Sequence, residues 1–368
     1  MRLERLNIVN YRNIKTAEIE LTGGINCFVG ENGAGKTNVL DSIYYLSFCK
    51  SYTGLQDSLN ICHDEPFFVI QGSYVKGGGG REEIYCGFKR GSKKQFKRNK
   101  KEYTKLAEHI GLLPLVIVSP RDEDLISDSP ETRRRYVDSV ISQCDPAYLD
   151  TLMSYNRLLI QRNALLKQMD ESGSQDFTLM DILDRQIGAM GGQIAEKRRV
   201  FVTWLRPAIE TYYAKLSSER EEVDVTYVTG LDRYELYQGL VDSRRRDLAL
   251  GYTSRGVHKD DIEFSMGGHP MKRVGSQGQR KSFVIALKLA QYQYLTEQKG
   301  ERPLLLLDDM FDKLDGRRGE NLVNLVASDS FDQIFITDTA IERLQSVLSK
   351  TSKDHRIFGV TDGEIEVK

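Results

Sequence analysis

The sequence has few of the residues that would mark a secreted, zinc-binding or membrane protein. Its 368 residues include five cysteines and five histidines. The cysteines form no CxxC pair, which indicates free thiols in a reducing compartment, and the histidines lack the spacing of a zinc site. No apolar run approaches the roughly 20 residues of a membrane span, and the first residues, MRLE, are not a signal sequence. These absences exclude a transporter with its own channel and predict a cytoplasmic protein.

The charge balance limits any nucleic-acid site to a local patch. The chain has 52 Lys and Arg residues against 53 Asp and Glu, for a formal net charge of −1. A protein that is basic over its whole surface is therefore excluded. The length is sufficient for a sizeable core and more than one sub-domain.

The most specific motif is the segment GENGAGKT at residues 30–37, which lies between an apolar run and a helix-like segment. Its glycines let consecutive backbone N–H groups and a helix N-terminus face phosphate groups. Lys36 would neutralise phosphate charge, and the Thr37 hydroxyl suits Mg²⁺. The alternative is a glycine-rich turn without nucleotide. The predicted ligands of ATP in this segment are Gly30, Asn32, Gly33, Gly35, Lys36, Thr37 and Asn38.

A second half of the same site follows a run of four leucines at residues 304–307. The run predicts a buried parallel strand, and the carboxyl end of such a strand is where an α/β sheet places ligand groups. We expect Asp308 to hold Mg²⁺ and Asp309 to orient or deprotonate the attacking water. Alternatively, both aspartates only cap a core strand. Because Asp309 is shorter than the Glu of many such ATPases, we expect slow hydrolysis.

Ser276 stands between glycines at the start of a helix with an apolar stripe, a little under 30 residues before the acidic strand. A serine at a helix N-terminus can bind an anion. Its order and spacing resemble the signature motif of ATP-binding-cassette ATPases, whose serine contacts ATP bound by the other subunit. An ordinary helix cap is the alternative. The residues assigned to this composite site are Ser276, Gly278, Gln279 and, in a dimer-contacting loop, Asp315.

Two basic clusters are candidate DNA contacts. The segment 89–101 holds eight positive charges in 13 residues and no acid. On a hairpin, several of these cations would track a phosphate backbone, and Phe96 would stack on a base or simply pack. Three arginines at 133–135 stand in the first turns of a helix, where cations oppose the helix dipole. The candidates are Lys93, Lys94, Lys97, Arg98, Arg133 and Arg134, with a solvated surface as the alternative.

The order of elements predicts an α/β fold, namely the head of an ATP-binding-cassette P-loop ATPase with a mixed sheet, joined to a helical lobe with a short arm. Alternation predicts strands at 2–10 and 14–21 and an antiparallel sheet within 67–97. Later strands are expected at 115–118, 223–228, 333–337 and 355–367, and helices at 146–170, 178–216 and 233–249. The predicted divisions are a nucleotide-binding lobe at 1–128, a helical lobe at 129–250 and the rest of the nucleotide-binding lobe at 251–368.

Over nearly its whole length the chain is similar to the RecF family of bacterial DNA-repair ATPases. The segments that carry the resemblance are NYRN at 10–13, KTN at 36–38, SPETRRRYVD at 129–138, QRNALLK at 161–167, GVHKDD at 256–261, GSQGQR at 275–280 and LLLLDD at 304–309. The chain departs from the family's usual sequence at three places. VHK at 257–259 replaces the usual PHR, and DK at 312–313 replaces the usual SE. Asp338 stands near the position where related ATPases have a switch histidine.

The resemblance implies a weak DNA-dependent ATPase that forms a homodimer on ATP and binds duplex DNA at single-strand gaps. The resemblance also implies that the protein acts together with RecR and RecO to load RecA. It further implies that Arg12 is one of the nucleotide-binding residues. A head ATPase of the SMC type from a nuclease or defence system is an alternative, which would need an additional acidic metal site. A detached transporter ATPase is another, but the arginine-rich insertion does not suit a membrane partner.

Overall fold

A computed structural model of the chain describes residues 1–173, 176–217, 221–230, 236–310 and 316–368. The chain forms two compact units. The sheet unit comprises Met1–Glu123, Tyr212–Arg220 and Ser276–Lys368, and the helical unit comprises Asp124–Thr211 and Glu221–Gly275. Among the described residues, no helix combines the length and apolarity needed to span a bilayer.

The elements are numbered in chain order. The strands are β1 Arg2–Tyr11, β2 Ile14–Glu20, β3 Ile25–Val29, β4 Phe67–Val75, β5 Arg81–Lys89, β6 Gln95–Arg98, β7 Lys101–Glu102, β8 Leu115–Val118, β9 Val223–Val228, β10 Asp261–Met266, β11 His269–Pro270, β12 Leu304–Asp308, β13 Ile334–Asp338, β14 His355–Thr361 and β15 Glu364–Val367. The helices are α1 Lys36–Phe48, α2 Asp124–Ser127, α3 Pro130–Cys144, α4 Pro146–Ser172, α5 Thr178–Ser217, α6 Leu236–Leu250, α7 Met271–Val274, α8 Gln277–Lys299, α9 Gly316–Ala327 and α10 Ile341–Leu348.

The central sheet of the sheet unit has the strand order β15-β14-β3-β13-β12-β8. All neighbours are parallel except the hairpin of β14 and β15. Every residue of β3, β12 and β13 is buried, which explains why these strands are continuous apolar runs rather than alternating ones. Because β13 separates β3 from β12, the carboxyl ends of the loop-bearing strand and the acidic strand lie at one edge of this sheet.

A second sheet of the same unit is antiparallel, in the order β2-β1-β4-β5-β6-β7. Burial alternates residue by residue along β4 and β5, as expected for a sheet with one face on the core. Its inner face packs around Tyr11, Tyr45 and Phe68, whose rings meet edge to face at centroid distances of 5.2 to 6.2 Å. The predicted α/β head with a mixed arrangement of strands and helices is confirmed.

The helical unit contains α3 to α6 and the small sheet β11-β10-β9. Its two long helices, α4 and α5, match the expected helices at 146–170 and 178–216. The helix expected at 233–249 is observed from Leu236 onward, and its first positions lie outside the described residues. The predicted divisions at 128 and 250 need correction. Residues 251–275 belong to the helical unit because β10 pairs with β9, and the first division falls after Glu123.

A fully buried arginine holds three helices of this unit together. Arg162 of α4 donates from Nε to Asp184 of α5 at 2.6 Å and from Nη1 to Asp247 of α6 at 2.7 Å. Thr253 and the carbonyl oxygen of Leu240 accept the remaining hydrogen bonds. A charge taken out of water is tolerated only when it is paired and hydrogen-bonded in this way.

Replacing Arg162 with methionine should therefore destabilise the helical unit strongly. The buried Asp247 would lose its charged partner and Asp184 would keep only Arg244, and removing one member of a buried ion pair typically costs about 3–5 kcal/mol. Chemical denaturation of the purified protein, followed by circular dichroism, measures the loss. The control is Arg185→Ala, which removes an exposed pair with Asp181 and should change little. Equal stability of the two variants would contradict the assignment.

Candidate nucleotide-binding site

The loop at residues 30–37 begins directly after β3, and α1 begins at Lys36. Gly33 and Gly35 adopt the left-handed backbone conformation, with φ of 84° and 117°. A Cβ atom on Gly30 would lie 2.1 Å from the carbonyl oxygen of Val360, so no side chain fits there. Gly35 caps α1 without a side-chain hydrogen bond. In the first turn of α1 the N–H of Asn38 donates to the carbonyl oxygen of Gly35 at 3.0 Å, and the N–H groups of Lys36 and Thr37 precede it at the helix N-terminus, where an anion binds.

Two hairpin turns hold this loop from outside. Asn13, in the turn between β1 and β2, donates from Nδ2 to the carbonyl oxygen of Ala34 at 3.0 Å and accepts from Asn38 at 2.7 Å. Gly363, in the turn between β14 and β15, donates its N–H to the same Ala34 carbonyl at 2.8 Å. Sequence reasoning missed both residues as loop supports. Asn13 lies in a quoted motif, whereas nothing local marks Gly363, since its partner is more than 300 positions away.

Lys36 lies across the loop in this structure. Its Nζ donates to the carbonyl oxygens of Gly30 at 2.7 Å and Glu31 at 2.8 Å. Burial lowers the pKa of the Lys36 ammonium, and the carboxylates of Asp309, Asp308 and Asp338 oppose that shift. The ammonium group is therefore held where it can exchange carbonyl acceptors for phosphate oxygens.

The predicted metal ligands are in contact. Thr37 Oγ1 donates to the Asp308 carboxylate at 3.0 Å, and Thr337 Oγ1 donates to the same carboxylate at 2.8 Å. Burial raises the pKa of the Asp308 carboxyl, while the hydrogen bonds from Thr337 and Thr37 lower it. Hydroxyl and carboxylate oxygens are ligands that Mg²⁺ prefers. The oxygen set of Thr37 and Asp308 thus fits a magnesium ion next to the loop.

Asp309 leaves the strand direction directly after Asp308. Its backbone is left-handed, with φ of 50°, and its N–H donates to Thr337 Oγ1 at 2.9 Å. Aspartate tolerates this conformation better than most residues. The Asp309 carboxylate is half-buried. It lies apart from the Asp308 carboxylate that would hold the metal, so it is free to accept a hydrogen bond from water.

Arg12 lies beside the first turn of α1. Its guanidinium donates to Asn38 Oδ1 at 3.3 Å and pairs with Asp41 at 2.8 Å, with Ser51 and Thr53 as further acceptors. This places Arg12 one side chain away from the loop, with acceptors already at both terminal nitrogens of its guanidinium. Its expected contact with nucleotide stays a prediction.

The signature segment forms the cap of α8. Ser276 Oγ accepts from the N–H of Gln279 at 3.3 Å, and Gln279 Oε1 accepts from the N–H of Ser276 at 2.7 Å. Both hydrogen bonds together make a capping box, and Ser276 remains exposed. A Cβ on Gly278 would lie 2.7 Å from Arg318 Nη1, the end of a flexible side chain that can move away. Asp315 lies outside the described residues.

The basic hairpin is only partly available to a partner. Lys94 points inward, where Nζ donates to the Cys49 carbonyl at 2.7 Å and pairs with Asp57 at 2.9 Å. Arg98 forms a two-pronged pair with Glu82 at 2.8 and 2.5 Å. Lys94 and Arg98 are therefore paired with carboxylates 37 and 16 positions earlier, and their contact with DNA stays a prediction.

Phe96 is also internal. Its side chain is 1% exposed and packs against Tyr103 and His109, so it cannot stack on a base. Lys93 is exposed, whereas Lys97 lies half-buried over the Tyr85 ring at 5.5 Å. The cations of the hairpin that do face solvent form what we name the basic rim: Lys89, Arg90, Lys93, Lys100 and Lys101.

The arginines at the start of α3 are paired within the helical unit. Arg133 makes two hydrogen bonds to Asp261 at 2.8 and 2.9 Å. Arg134 donates to the carbonyl oxygen of Asp260 at 2.5 Å, and burial lowers the pKa of its guanidinium. Cations at a helix N-terminus are repelled by the helix dipole. Here the pairs with residues more than 120 positions later in the chain offset this repulsion. Arg133 and Arg134 thus have partners within the helical unit, and their contact with DNA stays a prediction.

Comparison with known proteins agrees with the geometry. The RecF/RecN/SMC N-terminal domain family model matches residues 2–365. A DNA replication and repair protein RecF from Phocaeicola vulgatus is 49% identical over 366 residues, which cover 99% of this chain and 98% of that protein. A solved structure of the recombination mediator protein RecF with ATP in the RecFOR pathway aligns with a TM-score of 0.89 at 29% identity, covering 100% of this chain and 97% of that chain.

A more distant likeness concerns the fold alone. The Smc head domain from Pyrococcus furiosus, solved with an extended coiled coil and the C-terminal domain of ScpA, aligns with a TM-score of 0.58 at 15% identity. The alignment covers 100% of this chain and 95% of that one.

Removing the Asn13 side chain should loosen the loop. Asn13→Ala loses the hydrogen bonds to Ala34 and Asn38, and a net loss of about 1–1.5 kcal/mol would weaken ATP binding about 5- to 10-fold. Titration with a fluorescent ATP analogue measures the affinity, and Asn156→Ala, at an exposed position of α4, serves as the control. Wild-type affinity in the Asn13 variant would contradict the supporting role.

Proposed function

The chain belongs to the RecF/RecN/SMC family and, within it, to the RecF proteins of DNA replication and repair, and from this premise we propose that it is an ATP-dependent DNA-binding protein of recombinational repair. One observation carries the proposal. The Thr37 hydroxyl and the Asp308 carboxylate, 271 positions apart, are hydrogen-bonded at 3.0 Å. This contact supports a phosphate and metal site built from two motifs that are distant in the sequence.

The residues fit ATP and Mg²⁺. Gly30 lies where a Cβ would meet the backbone, and the exposed N–H groups at the start of α1 suit phosphate oxygens. Lys36 would exchange the carbonyls of Gly30 and Glu31 for phosphate oxygens, and Asn32, Gly33 and Asn38 complete the lining. Thr37 and Asp308 would hold Mg²⁺, which neutralises charge on the phosphates.

Hydrolysis is proposed to be slow and stimulated by DNA. Asp309 orients the attacking water and accepts its proton. Its carboxylate reaches one methylene less far than that of glutamate. The slow step would set how long the nucleotide-bound state lasts and would therefore time release from DNA.

ATP is proposed to join two copies of the chain. Ser276 is exposed at the N-terminus of α8, where a hydroxyl and backbone N–H groups favour an anion. It would contact the γ-phosphate held by the other copy, with Gly278, Gln279 and Asp315 nearby. Because the nucleotide would make these contacts only in the dimer, it shifts the population toward that state.

The proposed DNA contacts are the basic rim together with Lys97. The exposed cations of this rim can neutralise phosphates without giving up internal partners. The substrates are duplex DNA and gapped DNA in the bacterial cytoplasm. As the resemblance implies, RecR and RecO would be partners, and RecA would be loaded indirectly.

Filter binding of linear duplex DNA tests this function. We expect the wild type to retain DNA with ATP, to retain much less with ADP, and to leave the DNA uncut. No cluster of three metal-ligating side chains occurs in the part of the chain that the structure describes. Cleavage of the DNA would favour the nuclease alternative, and equal retention with ATP and ADP would contradict ATP control.

Replacing Lys93, Lys100 and Lys101 together with alanine should weaken DNA binding and flatten its salt dependence by about 0.9 per lost phosphate contact. ATP affinity should be unchanged. The charge-matched control replaces Arg185, Lys197 and Arg206, which are exposed on α5. If both triple variants bind DNA as the wild type does, the rim is only a solvated surface.

A further inference from the structure

Tyr252, two positions after the end of α6, is an aromatic side chain on the surface of the helical unit. It is 45% exposed, and no other tyrosine in the described ranges is exposed to this degree. Leu250, the last residue of α6, is 41% exposed beside it. A flat ring and an aliphatic side chain are therefore open to a ligand on either side of Gly251.

The backbone that carries the ring is fixed on both sides. Gly251 adopts the left-handed conformation, with φ of 70°, and donates its N–H to the carbonyl oxygen of Asp247 at 2.8 Å. Thr253 is 2% exposed, and its N–H donates to Asn163 Oδ1 at 2.8 Å. The N–H of Ser254 donates to Asp247 Oδ1 at 3.0 Å. Because the loop is already ordered, a ligand that stacks on the ring pays little conformational entropy.

Three cations surround the ring. Lys259 Nζ lies 5.1 Å from the centroid of the Tyr252 ring. Arg255 is exposed and follows three positions later, so its Cα is within about 11 Å of that of Tyr252. A Cβ on Gly251 would lie 3.9 Å from Cγ of Lys167, which is also exposed. None of the three cations pairs with a carboxylate in the part of the chain that the structure describes.

The acids nearest in sequence are turned into the helical unit. Asp247 is 0% exposed and Asp260 is 4% exposed. Asp260 accepts a hydrogen bond from the Tyr227 hydroxyl, and Asp261 pairs with Arg133 at 2.8 Å. These carboxylates are compensated internally, so they do not offset the cations around the ring. The surface therefore attracts anions.

A flat ring among cations fits one class of anion best. Within a duplex, both faces of each base are covered by its neighbours, so a protein ring stacks only on unpaired bases. Proteins that bind single strands combine such rings with cations that contact the phosphates. An acidic peptide would use the cations but leaves the ring without a role. In the basic hairpin the ring of Phe96 is 1% exposed, so that segment offers charge without stacking.

We propose that Tyr252, Lys167, Arg255 and Lys259 form a binding site for single-stranded DNA on the helical unit. An unpaired base stacks on the tyrosine ring, and the three cations contact the adjoining phosphates. The inference rests on the proposed function in taking DNA as the partner. The site shares no residue with the basic rim, and it responds to unpaired bases rather than to charge alone. It thereby gives the protein a means to distinguish a gap from intact duplex.

Tyr252→Ala tests the stacking contact in the full chain with ATP. Fluorescence anisotropy of labelled oligothymidylate should show binding about 5- to 100-fold weaker than that of the wild type, as the loss of one base–aromatic stack predicts. Tyr252→Phe keeps the ring and should bind as the wild type does. The matched control is Tyr212→Ala, which removes a half-buried tyrosine with Lys215 Nζ 5.3 Å from its ring. It should leave oligothymidylate binding unchanged.

Two further probes separate stacking from charge. An abasic strand of the same length has the phosphates without the bases, and a relaxed closed plasmid has no unpaired bases. Tyr252→Ala should bind both as the wild type does. Wild-type affinity of Tyr252→Ala for oligothymidylate overturns the proposal. An equal loss of affinity for the abasic strand also overturns it, because the substitution would then act through charge or folding.

Replacing Lys167, Arg255 and Lys259 together with alanine tests the phosphate contacts. The salt dependence of oligothymidylate binding should flatten by about 0.7 per lost contact, whereas the triple variant of Arg185, Lys197 and Arg206 should keep the wild-type slope. Polyglutamate that displaces oligothymidylate from the wild type but not from the Lys167, Arg255 and Lys259 variant would indicate a peptide site and overturn the proposal. A wild type that retains plasmid equally with ATP and ADP would instead contradict the proposed function.

Discussion

The contact between Thr37 and Asp308 depends on three parallel strands being in register. Thr37 lies in the first turn of α1, after β3, and Asp308 ends β12, with β13 between the two strands. Thr337 of β13 completes the bridge, since its hydroxyl donates to Asp308 and accepts from the Asp309 N–H. A shift of one residue in either ladder would turn one of these side chains to the other face of the sheet. Register of the buried strands is thus the constraint on which the site depends.

Polar networks have a parallel role in the helical unit. Arg133 pairs with Asp261, and Arg198 pairs with Asp138 at 2.8 Å and donates to the Val257 carbonyl at 2.7 Å. These contacts join α3, α5 and the segment that leads into β10. The arginine-rich and HKDD segments of the sequence therefore stabilise each other. In the sequence these two segments resemble ligand-binding sites, because a structural ion pair and a phosphate contact use the same side chains.

The regular elements and the nucleotide loop were predictable from the sequence, because strand runs, helix periodicity and glycine spacing are local signals. Partners far along the chain were not. Nothing local shows that Lys94 pairs with Asp57 or that Arg133 meets Asp261, so both were expected to face DNA. In the sequence, Asp338 stands out only as a departure near the position of a switch histidine. Its burial depends on the packing of β3, β13 and α10, which a single sequence does not display.

The central claim is that two copies close over ATP with Ser276 acting across the interface. Sedimentation velocity of the wild type with ATP, with ADP and without nucleotide tests it most directly, alongside Ser276→Arg and the conservative Ser276→Thr. We expect the wild type and Ser276→Thr to dimerise only with ATP, and Ser276→Arg to bind ATP as a monomer. Dimers of Ser276→Arg with ATP, or a wild type whose sedimentation ignores ATP, would contradict the account.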